Sequence, residues 1–212
     1  MRLVLASNNA KKLGELQLLL DGMGIELLAQ GALGIDEAEE PHATFIENAL
    51  AKARHAAAAS GSAAIADDSG LCVQALRDAP GVNSAHYAAV ASPIVAATSH
   101  RETRRQAQDA ANNALLLKSL QGVADRRAEF VATLVAVRHA DDPQPLIASG
   151  RWPGRILHAL RGTGGFGYDA LMWIEDLGSS VAELEPEIKN RHSHRARAAL
   201  QMQGLIREAW LR

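Results

Sequence analysis

The chain has 212 residues, 48% of them hydrophobic, which is enough to form one large domain with an aliphatic core. Its formal net charge of −2 lacks the basic excess that phosphate-backbone binding leaves, so we expect no nucleic-acid partner. The single cysteine, Cys72, excludes disulfides and cysteine-based zinc sites within the chain, and no apolar run has the length of a signal peptide or membrane span. We therefore expect a cytoplasmic protein without a membrane partner.

A short polar turn joins the first predicted strand, residues 3–6, to a helix predicted from residue 10. A strand that turns directly into a helix leaves backbone amides free above the turn. These amides, together with a nearby lysine, form a phosphate-binding site. The spacing is not that of a Walker loop, so the turn by itself is a weak signal. The candidate phosphate-binding residues are Ser7, Asn8, Asn9, Ala10, Lys11 and Lys12.

An acidic loop, residues 36–41, follows a second predicted strand over residues 25–29. Such a run is usually a solvated face, but carboxylates beside a phosphate-binding site are also candidate metal ligands. Thr44 and Glu47 then have the spacing of a capping box, and the alanine-rich segment after them predicts a strong helix ended by Gly61. Lys52 lies on this helix, where it either faces solvent or reaches a ligand.

Residues 63–66 form a short apolar run that ends at two adjacent carboxylates, Asp67 and Asp68, followed by Ser69 and Gly70. Polar groups at the end of a buried strand are typical of ligand sites in α/β proteins, whereas a hairpin turn is the alternative. Adjacent strand residues point to opposite faces, so the two carboxylates share one task only if the chain bends at Gly70. We predict that one aspartate holds a hard metal ion or activates water and that the other supports it.

The middle of the chain predicts a helix and a hairpin. Residues 101–120 are helical in composition, and residues 129–138 are rich in β-branched side chains and predict a long central strand. Residues 146–152 are its predicted hairpin partner. The segment 88–97 is small, apolar and poorly periodic, so it is interpreted as an insertion or a mobile loop without an assigned role.

Glycines surround two aromatic residues and a carboxylate in the segment 162–169. Glycine lets the backbone approach a ligand closely, and an aromatic ring stacks on flat groups, so a binding loop is favoured over a plain turn. The candidate ligand-binding residues of this segment are Phe166, Gly167, Tyr168 and Asp169.

Ser193 is a natural N-cap for the last predicted helix, which places His194 and Arg195 in its first turn. Cations are mildly disfavoured at that end by the helix dipole. Their placement suggests an anionic or electron-rich partner nearby.

In chain order, these segments resemble the non-canonical purine nucleoside triphosphate pyrophosphatases, the inosine triphosphate pyrophosphatase family. The matching residues are Ala6-Ser7-Asn8-Asn9-Ala10-Lys11-Lys12 with Glu15, Phe45-Ile46-Glu47-Asn48-Ala49 with Lys52-Ala53, Ala66-Asp67-Asp68-Ser69-Gly70-Leu71, Pro80-Gly81-Val82 with Ser84-Ala85 and Tyr87, residues 162–169, and Lys189-Asn190 with Ser193-His194-Arg195.

The resemblance implies an α/β protein, with a two-lobed fold, a long central mixed sheet flanked by helices and an active-site cleft between the lobes. It implies one domain over residues 1–212, a homodimer and Mg²⁺ as cofactor. The implied reaction is hydrolysis of dITP, ITP or XTP to the monophosphate and pyrophosphate.

The resemblance also implies residue roles. The implied catalytic residues are Asp68, Asp67, Lys12 and Lys52, and the implied metal ligands are Asp68, Glu40 and Glu39. The implied substrate-binding residues are Ser7, Asn8, Asn9, Ala10, Lys11, Lys12, Ser69, Phe166, Gly167, Tyr168, Asp169, Lys189, His194 and Arg195.

The chemistry of these residue types agrees with such roles. Lys12, together with Lys52 and the metal, would stabilise the charge that builds up when the α-phosphorus is attacked. Phe166 offers a face to a purine. Arg195 would donate a hydrogen bond to a carbonyl oxygen at the six-position of the base, whereas it would leave an amino group at that position unpaired.

The sequence departs from the family pattern at three places. Asn8 stands where glycine is common, His86 stands where arginine is frequent, and the segment 88–104 is longer than usual.

Two other functions stay open, namely a purine-nucleotide-binding regulator without catalysis and a pyrophosphatase for pyrimidine or methylated nucleotides.

Overall fold

A computed structural model of the chain describes residues 1–89 and 101–211, so most of the segment 88–97 lies outside the described residues. The strands are β1 (Arg2–Leu5), β2 (Glu26–Ala29), β3 (Ala64–Val73), β4 (Arg127–Val137), β5 (Leu146–Ile156), β6 (Met172–Ile174) and β7 (Ser179–Ser180). The helices are α1 (Ala10–Leu19), α2 (Phe45–Ser60), α3 (Arg101–Ser119), α4 (Pro186–His192) and α5 (His194–Ala209). No helix of the described ranges combines the length and the apolar character needed to cross a membrane.

The strands form one mixed sheet in the order β2-β1-β3-β4-β5-β6-β7. Strand β1 pairs in parallel with β2 and β3, whereas β6 pairs antiparallel with β5 and β7. The predicted α/β class with a mixed sheet flanked by helices is therefore confirmed. Strands β6 and β7 and helix α4 were not predicted, because segments of two to seven residues are too short to show a period.

The chain divides into two compact units. Unit 1 contains residues 1–69, 131–151 and 190–212, and unit 2 contains residues 70–130 and 152–189. That they form one domain of two lobes with a cleft between them stays a prediction.

In unit 1 the sheet is covered on both faces, as parallel strands require. Leu3, Leu5 and Ile65 pack in one cluster with residues of α1 and α5. Val4, Ala64 and Ala66 pack in a second cluster with the alanines of α2. Alternate residues of each strand thus belong to different helix layers, because successive strand side chains point to opposite faces.

Strand β3 continues through Asp67, Asp68, Ser69 and Gly70 without interruption. The hairpin-turn alternative for this stretch is therefore wrong, and Gly70 lies within the strand. Both carboxylates keep the alternating geometry of a strand, which decides their surroundings.

Unit 2 has its own core. It is built from residues such as Leu71, Leu116, Trp152 and Ile156, all at most 2% exposed. Helix α3 contributes Leu116 to this core, and the glycine-rich segment contributes Tyr168.

Candidate active site

The turn between β1 and α1 is held by its own side chains. Asn9 is the N-cap of α1, and its Oδ1 accepts hydrogen bonds from the backbone N–H groups of Lys11 at 3.1 Å and Lys12 at 3.4 Å. The Asn9 N–H donates to the Ser7 Oγ at 3.2 Å. Because Asn9 already satisfies two amides of the first turn, a phosphate at this end would depend on other amides and on the lysine side chains.

The remaining residues of this turn differ in exposure. Ala10 and Lys11 are exposed, whereas Asn8 is half-buried. The Asn8 side chain lies against Gly31, where any Cβ would collide with it. Asn8 stands where the family commonly has glycine. Its side chain fits because the facing residue, Gly31, has no side chain.

Asp67 lies on the face of β3 that α1 and α5 cover, two residues beyond Ile65. Its Oδ2 accepts a hydrogen bond from Arg195 Nε at 2.7 Å and lies 3.5 Å from Lys12 Nζ. Burial by itself would raise the pKa of Asp67, but the charges of Arg195 and Lys12 outweigh burial and hold that pKa well below its usual range. Asp67 is thus an ionised carboxylate that fixes two cations.

Arg195 is 2% exposed and is surrounded by acceptors. Besides Asp67, it donates through Nη1 to the Glu15 carboxylate and through Nη2 to the Ser69 Oγ at 3.1 Å. Burial would lower its pKa, but Asp67 and Glu15 raise the pKa further above its usual range. These contacts join β3, α1 and α5, and the predicted contact of Arg195 with a base stays a prediction.

Asp68 lies on the opposite face of β3, which α2 covers. Its Oδ1 accepts a hydrogen bond from Lys52 Nζ at 2.9 Å, and the same Nζ lies 3.1 Å from a carboxylate oxygen of Glu40. Burial raises the pKa of Asp68 to about 6, and Glu40 also raises it, although Lys52 opposes both effects. A carboxylate whose pKa is raised toward neutrality is suited to accept a proton.

The two lysines also meet at the backbone between the aspartates. The carbonyl oxygen of Asp67 lies 3.5 Å from Lys12 Nζ and 3.2 Å from Lys52 Nζ. Burial lowers the pKa of Lys12, whereas Asp68 and Glu40 outweigh the burial of Lys52 and raise its pKa. Strand β3 therefore has one lysine on each side, as the alternation of its carboxylates requires.

The acidic loop is attached to α2 by Asn48. The Asn48 side chain is buried, its Oδ1 accepts from the backbone N–H of His42 at 3.0 Å, and its Nδ2 donates to the carbonyl of His42 at 3.2 Å. Asn48 and Lys52 are four residues apart on α2 and share a face. Asn48 thus fixes the loop two residues from Glu40, and both Glu39 and Glu40 are exposed.

The donor set around Asp68 fits magnesium. Asp68 Oδ2 is buried and has no hydrogen-bond partner, which leaves one carboxylate oxygen available to a cation. Within residues 1–89 and 101–211, no group of three or more His, Cys, Asp and Glu side chains forms a cage for a metal ion. Magnesium needs no such cage, because one or two carboxylates, water and substrate phosphates complete its octahedron.

In unit 2, Asp169 organises the glycine-rich segment. Its Oδ2 accepts hydrogen bonds from the Phe166 N–H at 2.9 Å and from Lys189 Nζ at 2.8 Å. Gly165 has a φ of 75° and lies so close to this carboxylate that a Cβ would collide with it. Lys189 Nζ also lies 4.5 Å from the centre of the Phe166 ring, which is half-buried.

Tyr168 belongs to the core of unit 2. It is 5% exposed, and its hydroxyl donates to the carbonyl of Ser84 at 2.9 Å. Burial raises its pKa. Of the two predicted aromatics, Phe166 is half-buried and Tyr168 is buried.

Each unit therefore collects part of the predicted site. Unit 1 brings together Asp67, Asp68, Ser69, Lys12, Lys52, Glu40 and Arg195, with Ser7 and Asn9 in the β1–α1 turn and His194 buried in the first turn of α5. Unit 2 brings together Phe166, Gly167, Asp169 and Lys189. Sequence reasoning assigned no role to Glu15 or Asn48, although both stood in the matching segments.

Comparisons with known proteins give one consistent family. The model of the Ham1 family matches residues 3–205. The chain is similar to a dITP/XTP pyrophosphatase of Methylibium petroleiphilum, with 68% identity over the whole of both chains. It is 56% identical to a dITP/XTP pyrophosphatase of Burkholderia pseudomallei, over 93% of this chain and 89% of the relative.

Solved structures show the same similarity. A HAM1 protein from Coxiella burnetii superposes with a TM-score of 0.85 at 38% identity, covering 99% of this chain and 100% of that one. The Staphylococcus aureus Ham1 protein gives a TM-score of 0.82 at 31% identity, covering 98% of this chain and 99% of that one.

Proposed function

Because the chain belongs to the Ham1 family, we propose that it hydrolyses the triphosphates of non-canonical purines, dITP, XTP and ITP, to the monophosphate and pyrophosphate. The observation that carries the proposal is the pair of adjacent carboxylates in β3. Asp67 is held ionised by Arg195 and Lys12, while burial and Glu40 raise the pKa of Asp68. The two carboxylates therefore have different roles in hydrolysis: Asp67 binds two cations, and Asp68 accepts a proton.

In the proposed reaction, a water oxygen forms a bond to the α-phosphorus, the bond from that phosphorus to the bridging oxygen breaks, and pyrophosphate leaves with the electron pair. Asp68 accepts the proton of the water at its carboxylate. Lys12 and Lys52 approach β3 from two sides and stabilise the negative charge on the phosphate oxygens.

Magnesium is the cofactor we propose, and Asp68 and Glu40 would hold it, with Glu39 as a further candidate. When bound, it would polarise the phosphate oxygens and neutralise charge on the leaving pyrophosphate. The support for this choice is the unpartnered Oδ2 of Asp68 and the nearby carboxylate of Glu40.

We propose that the phosphates bind over the turn of Ser7 to Lys12 and that the purine stacks on the ring of Phe166, with contacts to Asp169 and Lys189. His194 is a further proposed contact to the nucleotide. Arg195 donates three of its five N–H groups to Asp67, Glu15 and Ser69. The proposed hydrogen bond from Arg195 to the six-carbonyl of the base would use one of its two remaining N–H groups.

The test is pyrophosphate release from dITP, with dATP and dGTP as canonical comparisons, in the presence of magnesium. Asp68→Asn is expected to reduce kcat at least ~100-fold, because it removes the proton acceptor. The exposed Asp141→Asn is the matched control and is expected to leave kcat unchanged. Tight dITP binding without turnover in the wild type, unaffected by Asp68→Asn, would instead establish a non-catalytic nucleotide-binding regulator.

A further inference from the structure

Both backbone polar groups of Gly167 are bound by side chains of one helix. The Gly167 N–H donates to Asp109 Oδ2 at 2.8 Å, and the Gly167 carbonyl accepts from Asn113 Nδ2 at 2.8 Å. Asp109 and Asn113 are four residues apart on α3, so they lie one above the other on the same face. The helix thus gives Gly167 the two hydrogen bonds that a neighbouring strand would give it.

A third residue of the same face contacts the neighbouring aromatic ring. Arg105 precedes Asp109 by four residues, and its guanidinium carbon lies 4.9 Å from the centre of the Phe166 ring. Arg105, Asp109 and Asn113, which are spaced four residues apart on α3, therefore contact two consecutive residues of the glycine-rich segment, Phe166 and Gly167. We call Arg105, Asp109 and Asn113 the loop-binding face of α3.

This face is well suited to fix a loop. Asn113 is 8% exposed, and Leu116, one turn further along α3, is completely buried in the core of unit 2. Gly167 has a φ of 61°, which gives the loop a conformation that only a few residue types adopt readily. A segment with this much freedom in the unfolded chain needs external contacts to hold one conformation.

We propose that the loop-binding face of α3 positions Phe166 for the purine base and thereby sets the affinity for the base separately from the affinity for the phosphates. The inference rests on the proposed function, because it takes the base to stack on Phe166. Asp109, Asn113 and Arg105 are positioning residues that act through Gly167 and the ring.

Asp109→Ala and Asn113→Ala test this role by two measurements on each variant. The KM for dITP is expected to rise about tenfold, the effect of leaving one partly buried polar group of Gly167 unpaired. The Ki of tripolyphosphate, which has phosphates and no base, is expected to stay unchanged. The matched control is Gln106→Ala, an exposed residue of the same helix.

Conservative variants separate positioning from folding. Asp109→Asn keeps an oxygen that accepts the Gly167 N–H and is expected to leave the KM for dITP near that of the wild type. Asn113→Gln keeps the amide but moves it by one methylene, so it is expected to raise the KM for dITP and to leave thermal stability almost unchanged. If the alanine variants fail to fold, the KM of Asn113→Gln for dITP tests the proposal instead.

Arg105→Ala is expected to raise the KM for dITP about threefold, because a cation over a partly exposed ring restrains that ring only weakly. Arg104→Ala removes the same charge from an exposed neighbour and is the control. A lower KM for dITP in Arg105→Ala would overturn the restraining role of Arg105.

Equal changes in the KM for dITP and the Ki for tripolyphosphate, or no change in either, would overturn the proposal. The affinity for dIMP, measured by calorimetry on the same variants, distinguishes failure of the positioning proposal from failure of the proposed hydrolase function. If the wild type does not hydrolyse dITP but binds dIMP, and the alanine variants bind dIMP about tenfold more weakly, the hydrolase function fails and the positioning role stands.

Discussion

At the scale of single residues, the adjacent carboxylates of β3 differ because a strand sends them to different helix layers. Asp67 meets Arg195 of α5 and Lys12 of α1, whereas Asp68 meets Lys52 of α2. The result is a lowered pKa for the first and a raised pKa for the second. Two residues with the same side chain thus receive different chemistry, because the period of the strand sends them to different neighbours.

Asp67→Asn is expected to reduce the free energy of unfolding by about 3 kcal/mol at pH 7, because it leaves the buried charge of Arg195 without its main partner. The matched control is Asp125→Asn, which removes the same kind of charge from an exposed ion pair with Arg127 and is expected to change stability little. Urea unfolding of both variants measures the difference.

The pH dependence of this difference has a definite sign. The pKa of Asp67 in the folded protein is below its value in the unfolded chain, so its stabilising contribution is complete above about pH 5 and is lost as the pH falls through and below about 4. The gap in unfolding free energy between wild type and Asp67→Asn should therefore be constant from pH 6 to 8 and shrink in acid. A gap that grows in acid would contradict the assignment.

At the scale of elements, α2 connects the acidic loop to β3. Asn48 binds the backbone of His42, and Lys52, one turn later, binds both Glu40 and Asp68. Thr44 is the N-cap of this helix, and its Oγ1 accepts a hydrogen bond from the Glu47 N–H at 3.2 Å. One helix face therefore places a loop carboxylate next to a strand carboxylate.

Asn48→Ala is expected to raise the magnesium concentration needed for half-maximal activity about tenfold, since the loop that carries Glu40 loses two hydrogen bonds. The KM for dITP at saturating magnesium should change little. Magnesium titration by calorimetry gives a second measurement that does not depend on turnover.

Thr44→Ala is the control for this effect. It removes the N-cap of the same helix and is expected to cost about 1 kcal/mol of stability. If it weakens magnesium binding as much as Asn48→Ala does, the effect belongs to helix stability rather than to the position of Glu40.

At the scale of the whole molecule, the net charge is −2 although the proposed substrate is a polyanion. Binding of a triphosphate then depends on a few local cations, such as Lys12 and Lys52, and not on a basic surface. We propose that the protein acts on free nucleotides and binds no nucleic acid.

We further propose a homodimer, as the family resemblance implies. Light scattering after gel filtration is expected to give twice the protomer mass of 22.6 kDa. A mass of one protomer at micromolar concentration would contradict it.

The sequence by itself determined the α/β class, the N-caps Thr44 and Ser193, and the segments that carry chemistry, whereas the N-cap Asn9 was predicted only as part of a turn. Caps and periods are local, so a window of a few residues contains the physical cause of each. Family membership also followed from these segments, because their order along the chain is specific.

Only the tertiary structure decided which residues meet. The sequence left Asp67 to Gly70 open between a ligand site at the end of a strand and a hairpin turn, and the turn did not form, because β3 continues through the stretch. Residues as far apart as Glu15, Ser69 and Arg195 come together around one guanidinium, and Asn113 reaches Gly167 from another element. Contacts of this kind depend on packing between distant segments, which no local pattern of side chains records.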